Sequence, residues 1–347
     1  MGFIDRLKRE GNAMQVVVLA GGVGSRLRPW TNQIPKPLLP MLDKTLLERV
    51  VEGVPIDLVD EVIVAGGYKI DMIRQYFADA DVDFDVTIVP EDEPLGTGGA
   101  LANCSDIISG TFACFNGDIV SSLDVTPMIE LHKRNGGIGT LALWEVEDPT
   151  RFGIVGLDEN SRITQFKEKP KKEEVFSNLI NAGSYIFEDD IFEIMPAGKH
   201  SIERDIFPAL AEEGKLNGMQ FDGYFIDAGT PESWSEGVQE CIRRKRFSSG
   251  EVCGGSWFSN PMAKVTEGAR VVGSMVEGNV SIGNSEVIES TILSGSFVGD
   301  NSVLSGCLIG RNVAIGNNCN LNGVVVDHNS IIPSETRQIG GKWLLQE

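Results

Sequence analysis

From about Val271 onward, aliphatic residues recur at a fixed step. Val276, Ile282 and Ile288 are six apart, as are Val298 and Leu304, and Ile309, Ile315 and Leu321. Four of these carry glycine next: Ile282-Gly283, Val298-Gly299, Ile309-Gly310 and Ile315-Gly316. Small and polar residues fill the gaps of this six-residue period. The period fits a parallel β-helix, in which each aliphatic side chain points inward and stacks on its counterpart one coil away. The spacing includes five-residue steps and an interruption around Ile292–Ser296, and it predicts about three to four short coils ending near Val326.

Upstream the pattern is different. Between Val16 and about Phe221, short apolar runs alternate with helical stretches. The strand candidates are Val16–Ala20, Val62–Ala65, Val86–Val89, Phe112–Phe115 and Gly139–Leu143. The helical candidates lie near Leu46–Val54, Asp71–Ala78 and Val125–Arg134. Such alternation predicts an α/β domain with a mostly parallel sheet, whose ligands collect beyond the carboxyl ends of the strands. A further helix from about Glu232 ends in the basic cluster Arg243-Arg244-Lys245-Arg246, which complements the helix dipole. The expected organisation is an α/β domain over 1–245, a linker over 246–262, a β-helix over 263–335 and a C-terminal tail over 336–347.

The chemistry concentrates in Gln15–Pro40, QVVVLAGGVGSRLRPWTNQIPKPLLP. A buried strand breaks into Gly21-Gly22-Val23-Gly24, where glycine lets the backbone take positive φ and pass close to a ligand. Backbone N–H groups in such a turn cradle phosphate oxygens, and Arg26, Arg28 and Lys36 supply positive charge. Two common phosphate motifs do not fit. A P-loop needs Lys and Ser/Thr after its last glycine, whereas Ser25-Arg26 follows Gly24. A dinucleotide fingerprint needs a third glycine where Leu27 stands.

The net charge of −20 argues against non-specific binding to nucleic acid or an anionic membrane. No apolar run approaches the roughly 20 residues of a membrane span. Met1–Met14 has no apolar core of a secretory signal, although Phe3, Ile4 and Leu7 form a small amphipathic pattern. The six cysteines contain no C-x-x-C pair and the three histidines are scattered, so neither zinc nor a disulfide framework is expected.

The signature G-G-x-G-[ST]-R-L-x-P followed by P-K-P-L resembles that of the sugar-1-phosphate nucleotidylyltransferases. The segments PKPLLP, EPLGTGGAL, INAGSYIF and SIERDIFP are also similar to mannose-1-phosphate guanylyltransferases. The resemblance implies a Rossmann-like, mostly parallel sheet domain followed by a short left-handed parallel β-helix. It implies an enzyme in which a sugar-1-phosphate oxygen attacks the α-phosphate of a nucleoside triphosphate and pyrophosphate leaves. Both reactants are anionic, so such a site needs cations, donors and a metal rather than a covalent nucleophile. The implied metal is Mg²⁺, on Asp118 and Asp227, each after an apolar strand-like run. Arg26 is implied at the β- and γ-phosphates and Lys36 at the α-phosphate. Leu19, Gly21, Gly22, Gly24, Ser25, Glu91, Gly96 and Thr97 are implied in nucleotide binding. Gly153, Glu168, Lys169 and Asn181 are implied at the sugar phosphate.

The choice of base turns on Glu91. Relatives that take dTTP or UTP commonly carry Gln there. An ionised Glu only accepts hydrogen bonds, which suits the two neighbouring donors of guanine. The resemblance therefore favours GTP with mannose 1-phosphate. Gly98-Gly99 is also similar to manno-heptose-1-phosphate guanylyltransferases, and Asp227-Ala228-Gly229-Thr230 is nearer a pattern shared with glucose-1-phosphate enzymes. The alternatives are UTP, dTTP or ATP with glucose 1-phosphate, or a catalytically silent regulatory subunit. The tail's only histidine is His328, which disfavours a second, acyltransferase activity. A cytoplasmic homo-oligomer assembled through the β-helix is expected.

Overall fold

A computed structural model of the chain describes residues 13–261 and 263–345. Phe3, Ile4 and Leu7 lie outside the described residues. The chain forms two compact units. One contains residues up to Gly22 and Leu47–Phe225; the other contains Val23–Leu46 and Ile226 onward.

The first unit is built on a nine-stranded sheet. Its strands are β1 (Met14–Leu19), β2 (Val59–Gly66), β3 (Asp85–Pro90), β4 (Phe112–Asn116), β5 (Gly139–Glu145), β6 (Gly153–Leu157), β7 (Ile163–Glu168), β8 (Leu179–Phe187) and β9 (Leu216–Gln220). Their order is β7-β6-β8-β4-β1-β2-β3, with β5 pairing β8 and β9 pairing β5. Val16, Val17 and Val18 are fully buried, as a parallel strand covered on both faces requires. β1 runs parallel to β2 on one side and to β4 on the other. The chain leaves β1 for β2 and later returns to its opposite edge as β4, so β1 sits at the switch point where α/β sheets bind ligands. The helices α1 (Ile70–Asp79), α2 (Gly96–Ala102), α3 (Thr126–Asn135) and α4 (Phe207–Glu212) accompany the sheet. One core joins Val17, Ile63, Leu101, Phe112, Leu141, Tyr185, Phe187 and Phe207.

In the second unit, α5 (Pro231–Arg243) begins at Thr230, whose hydroxyl accepts from the Ser233 amide, a helix cap. Arg243 and Arg244 at its end pair with Glu240. Beyond it the chain winds into the parallel β-helix, with three faces of stacked two- and three-residue strands. Val276, Ile292, Ile309 and Val326 stack in register on one face, Ile282, Val298, Ile315 and Ile332 on the second, and Val287, Leu304 and Leu321 on the third. All are buried in a single core, each worth about 1.5–3 kcal/mol of burial. Small polar residues turn the corners. The Ser290, Ser302 and Ser296 hydroxyls accept from the amides of Cys307, Cys319 and Val313, each 17 residues on. That 17-residue repeat is one short of three hexapeptides, which is why five-residue steps punctuate the sequence pattern. Asn301, Asn312, Asn318 and Asn329 take left-handed backbone at the bends, a conformation asparagine tolerates.

The β-helix is longer than 263–335. Trp257 and Phe258 pair in parallel with Met275 and Val276, and Arg337–Ile339 and Lys342–Trp343 continue two of the faces. The stretches assigned to linker and tail thus contribute strands, and the coils pass Val326. The periodicity missed them because Trp257, Gln338 and Trp343 break the aliphatic pattern. Nor does the α/β unit hold all of 1–245, since Val23–Leu46 folds with the C-terminal unit. Among the described residues, no helix is long and apolar enough to cross a membrane. None of the six cysteines forms a disulfide.

Candidate active site

In the first unit, the register of the parallel strands brings the candidate loops to one edge. Leu19 pairs with Ala65 and with Asn116, and Ala65 pairs with Val89. Gly21-Gly22 after β1, Glu91 after β3 and Gly117-Asp118 after β4, which ends at Asn116, therefore emerge at the same edge. The Gly117 amide donates to the Leu19 carbonyl at 3.0 Å, and the Glu91 amide donates to the Gly66 carbonyl at 3.0 Å. Glu91 turns its carboxylate toward Gly21. Oε2 accepts from the Leu95 amide at 3.0 Å. Oε1 is buried and has no hydrogen-bond partner among the described residues, and a Cβ on Gly21 would stand 2.9 Å from it. Glycine at 21 is what leaves this oxygen its space.

Gly96 and Thr97 open α2, and Gly96 has left-handed backbone with φ 75°. The Thr97 hydroxyl is held from below: it donates to Glu203 Oε2 at 2.6 Å and accepts from the Ile202 amide at 3.1 Å. The Gly98 amide donates to the His200 carbonyl at 3.1 Å. SIERDIFP thus acts as the support of the Gly96–Ala102 turn. Its Glu203 carried no signal of that role in the sequence, because the two segments are far apart along the chain.

Gly153, Glu168 and Lys169 come together on the β6–β7 hairpin. Glu168 faces Gly153 in register, and a Cβ on Gly153 would lie 2.9 Å from Glu168 Oε2. Lys169 has left-handed backbone with φ 44°, a conformation that costs a residue with a side chain on the order of 1 kcal/mol. Its Nζ lies 3.1 Å from Glu168 Oε1, on a side chain 56% exposed. Asn181 is differently placed. It is buried, its amide donates to the Tyr185 hydroxyl at 2.9 Å, and its Oδ1 accepts from the Gly183 amide at 3.1 Å. Much of its bonding capacity shapes the turn into Gly183.

In the second unit, Gly24 caps a short turn over Ser25–Leu27 with left-handed φ 61°. A Cβ there would strike Thr31 Cγ2 at 2.8 Å and crowd Lys36 Cβ at 3.2 Å, so conformation and space both demand glycine. The Thr31 hydroxyl donates to the Gly24 carbonyl at 2.8 Å. Arg26 projects from this turn, and its guanidinium lies against Gly229. It is 3.9 Å from Asp227 Oδ2, with side chains 52% and 29% exposed. An ion pair that long and that wet is weak, so the guanidinium can turn to a phosphate. Lys36 is buried between Pro35 and Pro37 at the start of the turn Lys36–Leu38. Two contributors escaped sequence reasoning: Thr31, which fixes Gly24, and Trp30, which is fully buried.

A glycine turn at the switch point of a parallel sheet, with cations following in the sequence, is an arrangement of α/β proteins that suits a phosphate-bearing ligand. Comparison with known proteins narrows the class. Residues 15–243 match the family described as nucleotidyl transferase, and residues 261–342 match the GlmU-like C-terminal hexapeptide family. A mannose-1-phosphate guanylyltransferase catalytic subunit beta of Drosophila pseudoobscura pseudoobscura is 31% identical, over 96% of this chain and 93% of its own length. The mannose-1-phosphate guanylyltransferase of Mycobacterium tuberculosis is 34% identical, over 86% of this chain and 83% of its own. Among solved structures, HddC from Yersinia pseudotuberculosis is similar at 32% identity with a TM-score of 0.55, covering 65% of this chain and 99% of its own. The same protein has been solved in complex with GMP-PN. The chain belongs to the nucleotidyl transferase family, within the sugar-1-phosphate nucleotidyltransferases, and its C-terminal coils form a hexapeptide β-helix.

Proposed function

We propose that the protein transfers the guanylyl group of GTP to mannose 1-phosphate, giving GDP-mannose and pyrophosphate. The observation that carries the choice of base is Glu91 Oε1, a buried acceptor beside the glycine turn with no partner among the described residues. Leaving such an atom unsatisfied is costly, and guanine supplies N–H donors on its Watson–Crick edge. The names of the Drosophila and Mycobacterium relatives and the GMP-PN complex of HddC support the same base.

In this reading an oxygen of the sugar phosphate attacks the α-phosphorus of GTP, the bond to the β-phosphate bridge breaks, and pyrophosphate leaves with the electron pair. Arg26 holds the β- and γ-phosphates as their charge grows. Lys36, fixed by its flanking prolines, serves the α-phosphate. Lys169 takes the sugar phosphate, Glu168 accepts from sugar hydroxyls, and the backbone at Gly153 admits the sugar. Asp118 and Asp227 offer hard oxygen donors of the kind Mg²⁺ prefers, and Asp227 is part-exposed. The ion would be held by these two carboxylates, where it would neutralise phosphate charge. The reading puts the activity in the cytoplasm, where nucleoside triphosphates are made, and in a homo-oligomer formed through the β-helix.

The test is pyrophosphate release with Mg²⁺, crossing GTP, UTP, dTTP and ATP against mannose 1-phosphate, manno-heptose 1-phosphate and glucose 1-phosphate. Preference for GTP with mannose 1-phosphate is expected. A preference for UTP or dTTP with glucose 1-phosphate would overturn the base and sugar while keeping the chemistry, and no release with any pair would leave a silent sugar-nucleotide-binding subunit.

A further inference from the structure

The phosphate-binding segment Val23–Leu46 belongs to the same compact unit as the β-helix, and it is bonded to the coils at several points. The indole N–H of Trp30 donates to the Val326 carbonyl at 2.9 Å, inside the protein. That carbonyl already accepts from the Gly310 amide of the preceding coil at 3.1 Å, so the indole reads the ladder itself. The Trp30 ring stacks on the His328 imidazole, with centroids 6.1 Å apart and planes at 26°. One turn on, the Gln33 amide donates to Asp327 Oδ1 at 3.2 Å. Farther along, the Leu42 amide donates to the Met275 thioether at 3.4 Å, and Asp43 Oδ2 accepts from the amides of Ser248 and Ser249.

The coil side of this contact is equally fixed. His328 Nδ1 accepts from the Arg311 amide at 2.8 Å, tying the ring to the coil beneath. Asp327 Oδ1 also accepts from the His328 amide at 2.8 Å, and the Asp327 amide donates to the Trp343 carbonyl at 2.9 Å. On the loop side, Trp30 is directly followed by Thr31, whose hydroxyl holds the Gly24 carbonyl at 2.8 Å. Gly24 sets the turn that carries Arg26. The Ile34 amide donates to the Trp30 carbonyl at 3.0 Å, and Pro35-Lys36 follow. Each cation of the loop is thus a few covalent or hydrogen-bonded links from Val326–His328.

We propose that the β-helix is part of the catalytic apparatus, with Val326, Asp327 and His328 acting through Trp30 and Gln33 as positioning residues for the triphosphate-binding loop. This rests on the nucleotidyl-transfer reading only in naming the ligand; the mechanical link stands on the contacts. Leu27, Trp30, Leu39 and Met41 bury the apolar side of this loop, and the coils tie it down through Trp30 and Gln33. The consequence is kinetic rather than merely structural. Loosening the link moves Arg26 and Lys36, which serve the nucleoside triphosphate. It leaves the β6–β7 hairpin, which carries Glu168 and Lys169, in its own sheet.

The experiment uses the full chain and compares wild type with Trp30→Phe, His328→Ala, His328→Phe and Gln33→Ala. Trp30→Phe keeps an aromatic ring in the buried position and removes the N–H together with part of the indole. Losing that bond is expected to raise KM for the triphosphate about fivefold to tenfold, with KM for the sugar 1-phosphate moved less than about twofold. His328→Ala should do the same, His328→Phe should restore most of the loss through its ring, and the exposed Gln33→Ala should give a smaller shift in the same direction. Thermal midpoints of Trp30→Phe and Gln33→Ala should stay within about 2 °C of wild type. Unchanged triphosphate KM in both of these variants would overturn the proposal. So would an equal rise in both KM values accompanied by a lowered midpoint, which is the pattern of general destabilisation. If wild type transfers nothing, the functional reading fails on its own. Equilibrium dialysis of GTP against the same variants then decides the link: weaker binding supports it and equal binding refutes it.

Discussion

Replacing Glu91 by Gln tests the base assignment at a single atom. Glu91 Oε2 already accepts from the Leu95 amide at 3.0 Å, and a glutamine carbonyl can keep that bond. The other position, Oε1, is buried beside Gly21 with no partner among the described residues. In the variant it becomes an NH₂ group, a donor facing the donors of guanine. A hydrogen bond to a charged group contributes about 1.5–3 kcal/mol, so losing one lowers kcat/KM for GTP by roughly 10- to 150-fold. The new donor also suits a pyrimidine carbonyl, so kcat/KM for UTP or dTTP should hold or rise and the preference for GTP should narrow further. The backbone changes little, because Gln is isosteric with Glu and only 2.9 Å separates Oε1 from the Cβ position that Gly21 leaves empty. The assay is initial-rate pyrophosphate release with each triphosphate at saturating sugar 1-phosphate, on wild type and variant side by side. An unaltered ratio of GTP to UTP would refute the argument that this carboxylate reads the base. Equal losses with every triphosphate would show instead that Glu91 supports the loop without discriminating.

The remaining predictions concern the metal, the thiols and assembly. Asp118→Ala should abolish Mg²⁺-dependent turnover with an unchanged circular dichroism spectrum; retained turnover would remove Asp118 from the metal site. Burial pushes the Cys104 thiol up from its ordinary 9.0 to about 12, and Cys253 is the exposed cysteine of the six. Native protein at pH 8 should therefore react rapidly with Ellman's reagent at one thiol, lost in Cys253→Ser. Because Cys104 is held neutral, its contribution to stability should be complete below about pH 9 and decline toward pH 12, read as a falling urea midpoint whose slope Cys104→Ala reduces, with buried Cys114 and Tyr185, also pushed up by burial, supplying the rest. Phe297 and Ile331 are exposed on one face of the β-helix, in register with Ala314 between them. Light scattering should show a homo-oligomer that Ile331→Lys weakens; a clean wild-type monomer would exclude it.

Much of the fold was legible because its periods are local. Val16-Val17-Val18, β-branched and followed by a glycine turn, reads as a strand buried on both faces, and the six-residue aliphatic repeat is the signature of a parallel β-helix. The ends of that helix were not legible. At Trp257 and Trp343 a large ring takes the place of the repeating aliphatic, and inward residues such as Gln338 carry no apolar signal. The candidate residues stood out by type, since a glycine turn followed by Arg26 and Lys36 offers the donors and positive charge that suit phosphate. What held those residues was hidden, because each support comes from a distant part of the chain. Thr97 rests on Glu203, and Trp30 rests on Val326 and His328. Asn181 shows the converse: a residue type suited to a sugar hydroxyl whose amide is largely engaged by Tyr185 and Gly183.

Movement of a nucleotidyl group from a triphosphate onto a sugar phosphate can be followed by label. The most direct measurement incubates the protein with Mg²⁺, mannose 1-phosphate and GTP carrying radiolabel at the α-phosphate, and separates the products by anion-exchange chromatography. Label is expected in a species co-eluting with GDP-mannose, formed in step with unlabelled pyrophosphate and absent when mannose 1-phosphate is omitted. Label remaining in GTP, or appearing only in GDP or GMP regardless of sugar phosphate, would contradict nucleotidyl transfer.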